Sequence, residues 1–319
     1  MRIAVPDLIS NSYFPAVAAV ELGFFAKHGI DASVELVFPV NKAYAALRDG
    51  QVECVAGSAH SALSAFPEWQ GVKLLCAQAQ GMYWFLVMRS DLPCGRGDID
   101  IVKGRKIGAA PWVELGLRRL LVAAGIDPER NNVTIAPVPN TTGSSVNFGL
   151  TAAKALEDGV IDGFWANGMG TEIAVTRGVG KVVLDVRRGD GPKECFNYTM
   201  ASLAVTDTFM REAPEDAAKM VMAINETHAA LKRDLSLAER VGRKLFPQHE
   251  ASLIAELVRR DLPFYSSDIT PSFVAGMNNF ARDAGVLQRM PAYADVVAAR
   301  LPSVRTTSRT ENGQSHKQP

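Results

Sequence analysis

The chain opens on Arg2 to Asp7, a mainly apolar run that reads as a strand, and Leu8 to Asn11 form a loop leading to Tyr13-Phe14-Pro15. There an alanine- and valine-rich helix begins and ends near Gly23, and Gly29 caps a short second helix. Ala32 to Phe38 alternates as a strand does, and a helix follows over about Lys42 to Arg48. Asp49-Gly50 stops it with a residue able to take positive φ. Val52 to Ala56 then runs as a short buried strand into the small-residue loop Gly57-Ser58-Ala59-His60, ahead of a predicted helix Ser61 to Phe66.

This plan returns further along. Ala46-Leu47-Arg48-Asp49-Gly50-Gln51-Val52-Glu53 is echoed by Ala155-Leu156-Glu157-Asp158-Gly159-Val160-Ile161-Asp162, with the glycine-bearing loop Asn167-Gly168-Met169-Gly170 downstream. Two copies at so long a spacing fit a pair of related α/β lobes, not a solenoid. Between the copies, Gly104 to Ala109 reads as a strand entering a new lobe. Pro111-Trp112 opens a helix from Val113 to Ala124, closed at Gly125, because proline is preformed for a first helical position. Val133 to Val138, Val182 to Val186 and Met200 to Thr206 supply further strands, and Pro214 to Ala299 reads as helical. The polar tail 303–319 lacks apolar periodicity and is expected to be disordered.

Composition narrows the function classes. The 319 residues suffice for about two domains. The 34 basic and 34 acidic residues balance, so no uniform field draws the chain to nucleic acid or an anionic membrane. No apolar run approaches the about 20 residues that a membrane helix needs. Cys54, Cys76, Cys94 and Cys195 have no CxxC spacing; neither zinc nor a disulfide framework is indicated, and Cys54 and Cys76 read as core. HExxH, GxSxG and Walker sequences are absent, and no cofactor is expected. Met1 is followed at once by a strand, not by a leader. The location is expected to be periplasmic if a leader is missing from this sequence, and cytoplasmic if Met1 is the true start.

An ordered set of landmarks resembles the type II periplasmic solute-binding proteins of the alkanesulfonate, taurine and thiamine-pyrimidine-precursor group. These are Phe14-Pro15 with Glu21-Leu22-Gly23-Phe24-Phe25-Ala26-Lys27-His28-Gly29-Ile30, then Ala46-Leu47, Asp49-Gly50 and Gly57-Ser58, then Val102 to Gly108. The resemblance covers about residues 1–300. It implies two doubly wound α/β lobes joined by crossover strands: one of 1–88 plus 200–302 with a C-terminal helical cap, the other 89–199. Hinges would lie near Phe85 to Arg89 and Thr199 to Leu203. It also implies a monomer that captures a small molecule between its lobes and hands it to an ABC permease.

In such sheets the strand ends and the helix starts beyond them face one crevice. Ser10, Asn11, Tyr13, Ser58 and His60 from the first lobe should meet Trp112, Trp165 and Asn167 from the second, with Trp84, Asn197 and Tyr198 beside the crossovers. The aromatic rings could stack on a planar ligand, and the resemblance adds an anionic group to it. Plainer readings stand beside these. Trp84 could be core, His60 could cap the helix Ser61 to Phe66, Ser58 could be only an N-cap, and Trp112 could cover a lobe edge. Asn140 to Ser145 could bind an anion through its backbone, or be an ordinary surface loop.

Enzymes on the same fold are the alternative: a dihydroxyphthalate decarboxylase, a sulfinate desulfinase with a cysteine nucleophile, and a pyrimidine synthase using its own histidine and pyridoxal phosphate. His60 falls where the synthase's histidine falls, but that enzyme's lysine position is Ala56 here. Its cysteine cluster corresponds to Cys195 alone. The first cleft loop, Ser10 to Tyr13, offers no thiol for a desulfinase. A catalytic reading would therefore rest on His60 by itself, and a binder is the favoured expectation.

Overall fold

Residues 1–139, 141, 148–299 and 301–302 are described by a computed structural model. In chain order its strands are β1 (Arg2–Val5), β2 (Ser33–Leu36), β3 (Cys54–Ser58), β4 (Val72–Ala79), β5 (Phe85–Arg89), β6 (Lys106–Ala109), β7 (Thr134–Ala136), β8 (Gly163–Ala166), β9 (Gly180–Asp185) and β10 (Ala201–Thr206). They form two five-stranded sheets of matching order, β2-β1-β3-β10-β4 and β7-β6-β8-β5-β9. In each, three strands run parallel, and a fourth joins them antiparallel beside the third. That fourth strand is supplied by the crossover: β5 follows β4 but lies in the second sheet, and β10 follows β9 but lies in the first. The expected two lobes joined by crossover strands are thus present. Phe85–Arg89, expected as a hinge, is a strand within the second sheet.

The repeat has a structural basis. The helices are α1 (Phe14–Glu21), α2 (Phe24–Lys27), α3 (Val40–Arg48), α4 (Glu114–Ala123), α5 (Phe148–Glu157), α6 (Gly168–Thr176), α7 (Asp207–Glu212), α8 (Pro214–Arg233), α9 (Ser236–Leu245), α10 (Gln248–Asp261), α11 (Pro271–Asp283) and α12 (Tyr293–Val296). The two sequence copies are the end of α3 leading into β3 and the end of α5 leading into β8. Gly50 and Gly159 turn the chain between them at φ of 70° and 68°, where a side chain would be strained. β3 and β8 are buried along their whole length, as inner strands covered on both faces must be.

Two local expectations fail. The segment after β3 is a 3-10 helix, Ala59–Ser64, and not an α-helix from Ser61. Pro111 does not open α4, which starts at Glu114, because Trp112 sits in the left-handed region at φ 71° and interrupts any helical path. The C-terminal helices also touch the second lobe. α10 packs against α6 of the second, and Arg260 Nη2 meets Glu172 Oε2 at 2.8 Å. The tail 303–319, and all of Asn140 to Ser145 except Thr141, lie outside the described residues. Among the described residues no helix is long and apolar enough to cross a membrane. Cys54 and Cys76 are buried in the core, as expected.

The second lobe is tightly packed where α5 and α6 cross. A Cβ built on Gly170 would lie 2.6 Å from Gly149 Cα, so the two backbones meet with no room for a methyl group. Gly170→Ala is expected to cost about 1–3 kcal/mol by overpacking. Chemical denaturation should show this as a lower midpoint with an unchanged slope.

Candidate functional site

The parallel strands β1 and β3 point their carboxyl ends at those of β6 and β8, and each pair is tied across the gap by one side chain. Asn167, just past β8, caps α6 by accepting from Met169 N at 3.0 Å, while its Nδ2 donates to Asp7 Oδ2, just past β1, at 2.8 Å. His60, just past β3, reaches the main-chain oxygen of Trp112, just past β6, through Nε2 at 3.0 Å. The two ties are equivalents under the pseudo-symmetry of the lobes. The left-handed turn at Trp112 helps place its carbonyl toward the first lobe.

Between the ties lies a cavity of about 40 Å3. Asp7, Tyr13 and Phe38 line it from the first lobe, Phe148, Trp165 and Asn167 from the second, and Trp84 from the crossover. Its walls are largely aromatic: Phe38 stacks on Phe148 with centroids 6.3 Å apart, and Trp84 lies 6.0 Å from Trp165. Tyr13 Oη and Tyr83 Oη are 2.9 Å apart, giving each buried phenol a partner. A larger surface hollow of about 460 Å3, lined by Trp69, Lys73, Asp207 and Arg289, sits where β4 begins and β10 ends. That is the opposite end of the first sheet from the cavity.

The charges around the cavity follow from burial. Desolvation pushes the Asp7 carboxyl up to about 7 despite the hydrogen bond from Asn167. Desolvation likewise lowers His60 to about 4, against the opposing effect of the Trp112 carbonyl. With Nε2 donating to that carbonyl, Nδ1 accepts from Thr199 Oγ1 at 2.9 Å, so the neutral ring has both nitrogens engaged. Behind the cavity is a buried ion network. Asp261 of α10 receives Arg187 Nη1 at 3.1 Å, Arg188 Nη2 at 2.9 Å and Asn11 Nδ2 at 2.6 Å. Arg187 also lies over the rings of Tyr83 and Phe264.

Of the residues singled out in the sequence, Tyr13, Trp84, Trp165 and Asn167 line the cavity. Trp84 is both core and wall. His60 and Trp112 form one of the ties without lining the cavity, and Asn11 serves the ion network. Ser10 accepts from Ser12 N, a local turn. Ser58 is no side-chain cap, because its hydroxyl meets Ser61 Oγ at 2.6 Å. Asn197 and Tyr198 lie away from the cavity against α11: a Cβ on Gly276 would meet Asn197 Cβ at 2.7 Å, and Tyr198 stacks on Phe280 with centroids 4.6 Å apart. Asp7, Phe38 and Phe148 were not foreseen. Asp7 had a usable signal, an acid at the carboxyl end of the first strand. Among the described residues no cluster of histidine, cysteine, aspartate and glutamate could hold a metal ion.

Comparison with known proteins adds the family. A family model described as NMT1/THI5 like matches residues 10–234, more than half of the chain. The chain belongs to the NMT1/THI5-like family. No curated protein matches the sequence. Among solved structures, a protein from Bordetella bronchiseptica RB50 is similar at 22% identity and TM-score 0.72, covering 90% of this chain and 88% of its own. The alkanesulfonate-binding protein SsuA from Xanthomonas axonopodis pv. citri, bound to MOPS, is similar at 13% identity and TM-score 0.67, with 93% and 97% covered. The desulfurization enzyme DSZB is similar at 14% identity and TM-score 0.61, with 93% and 96% covered. At these identities the likeness is one of fold, and it joins this NMT1/THI5-like chain to binders and an enzyme alike.

Proposed function

We propose that this protein captures a small planar solute in the cavity between its lobes, as the solute-binding component of an ABC-type importer, in the periplasm. The observation that carries this reading is the aromatic-walled cavity at the facing strand ends, spanned by Asn167–Asp7 and His60–Trp112. Flat rings such as Trp84 and Trp165 offer a planar solute large apolar contact at little entropic cost. The alkanesulfonate-binding protein that shares the fold supports capture of a small solute as the use of the cavity. At about 40 Å3 the cavity has room for little more than a water, so the lobes must part to admit a ringed solute and must close less far around it than here, and the solute must favour that closure over the open arrangement, since equal affinity for both would shift nothing. The anionic group expected from the resemblance finds no counter-charge, because no lysine, arginine or histidine lines the cavity among the described residues.

The catalytic alternative draws less support from the geometry around its one candidate. His60 has both nitrogens committed to the fold and lies outside the cavity lining, so it is not placed as a general base. The test is a panel of aromatic acids, amides, amines and sulfonates, followed by melting temperature and by recovery of each compound. A true ligand at a hundredfold excess over its dissociation constant adds about 2.7 kcal/mol of apparent stability. A shift with the compound recovered intact is the expected result; turnover of any compound would replace a binder by an enzyme.

A further inference from the structure

The lobes are joined covalently twice: residues 80–84 lead from β4 to β5, and residues 186–200 lead from β9 to β10. A third segment lies across both crossovers. α10 follows α9, which rests on α1 of the first lobe, and packs against α6 of the second. It ends at Asp261, where Pro263 lacks the N–H that a further helical turn would need. The chain then runs beside the end of β4: Ala77 N donates to Ser267 O at 3.0 Å, and Gln80 N to Phe264 O at 2.8 Å. The Gln80 side chain adds two bonds, from Nε2 to Ser266 O at 3.1 Å and to Asp268 O at 2.7 Å. On the return crossover, Phe196 lies against Phe264 with centroids 6.4 Å apart, and Arg187 and Arg188 reach Asp261. The crossovers also hold each other, with Met82 N donating to Phe196 O at 2.9 Å. Gly81 permits that approach, because a Cβ there would lie 2.3 Å from the Phe196 ring.

We propose that residues 261–268 act as a third hinge segment, a clasp that holds the two crossovers at one angle and limits how far the lobes part. This rests on the lobes moving to admit a solute and adds what governs that motion. None of these residues lines the cavity, so their part in capture is one of positioning. Two crossovers alone would leave the angle soft, since each residue rotates about two backbone bonds. With the clasp in place, turning one crossover against the other pulls Gln80 from its two carbonyls or Arg187 from Asp261. A buried ion pair suits this role: it adds little stability over a well-packed apolar pair, but any arrangement that separates it strands a charge. The pair therefore selects one geometry.

Spin labels on Gln51→Cys of the first lobe and Glu129→Cys of the second, both exposed positions, report lobe separation by double electron–electron resonance in the full chain. Cys94→Ser serves as background, the other three cysteines being buried. Gln80→Glu sets a carboxylate against the Ser266 and Asp268 carbonyls, and Phe264→Ala removes the ring that Arg187 and Phe196 pack on. Without any solute, both variants are expected to move the distance distribution to longer separations and to broaden it. Val72→Ala, a core truncation at the far end of β4, should lower the melting temperature and leave the distribution in place. Gln80 is half-buried and its exchange is nearly isosteric, so this variant tests the clasp even where Phe264→Ala does not fold. The proposal is overturned if Gln80→Glu keeps the distribution of the unaltered protein, or if Val72→Ala moves it as far, since general loosening would then explain the shift. No solute enters the measurement, so its failure leaves the capture reading to the compound panel.

Discussion

Replacing Asp261 with alanine is expected to destabilise the protein by about 3–5 kcal/mol, the cost of stranding a buried charge. The Arg187 side chain is only 2% exposed, and its other polar contact is a long 3.4 Å bond from Nη2 to the Gly81 carbonyl. Its Nε has no partner among the described residues even with Asp261 in place. Removing the carboxylate therefore leaves a guanidinium in a poorly solvating site beside Tyr83 and Phe264, and it takes a partner from Asn11 and from Arg188, which keeps Asp185. The same logic makes Arg187→Met/Asp261→Leu less damaging than Asp261→Ala, because both charges leave together. Denaturant unfolding of the three proteins measures this. A loss under about 1 kcal/mol for Asp261→Ala would mean that solvent reaches Arg187 and that the network is not buried in solution.

The second large effect is acid destabilisation centred on two histidines. His60 and His228 are each lowered to about 4 by burial, and His228 Nε2 meets the Gln78 carbonyl at 2.8 Å. An unfolded histidine titrates near 6.5, so unfolding between about pH 4 and 6.5 takes up a proton at each ring. The stability they confer is complete above about pH 6.5 and is lost as pH falls toward 4, at roughly 3 kcal/mol per ring. Asp7 works the other way. Its carboxyl, raised to about 7, keeps a proton that the unfolded chain releases, so its contribution falls as pH rises from about 4 to 7. His60→Gln should reduce the proton uptake on unfolding in this window by one relative to the unaltered protein, and Asp7→Asn should raise it by one. Stability measured against pH for the three proteins gives these differences directly. Parallel curves for His60→Gln and the unaltered protein would show that His60 titrates normally and is not enclosed.

Much of the fold could be read from local signals. Gly50 and Gly159 mark the same turn in both lobes because only glycine takes that backbone conformation easily, and the apolar runs after them could be little else than inner strands. Tyr13 at the start of α1 and Asn167 at the start of α6 line the cavity because topology alone brings a helix start to the crevice, and Trp165 lines it from within β8. The ion network was not legible. Arg187 and Asp261 look like ordinary surface charges in sequence, and only the packing of α10 across the crossover brings them together. Phe38 and Phe148 meet through lobe closure, to which hydrophobic periodicity is blind. The partner of His60 is a main-chain oxygen set by the left-handed turn at Trp112, and a carbonyl leaves no residue type to recognise. Asp7 was read as the end of a strand, when its place at that end is what brings it to the cavity.

The proposed capture depends on the solute entering and leaving by the parting of the two lobes over this cavity. Asn11 of the first lobe and Gly168 of the second allow it to be tested, because a Cβ on Gly168 would lie 3.2 Å from Asn11 Cγ, close to the reach of a disulfide. The double variant Asn11→Cys/Gly168→Cys can be oxidised to staple the lobes together, with the reduced form of the same protein as reference. Calorimetric titration with a compound that the panel shows to bind should give no binding to the oxidised protein and restored binding on reduction. Equal affinity in the oxidised and reduced forms would contradict the account, because the solute would then reach its site without the lobes moving apart.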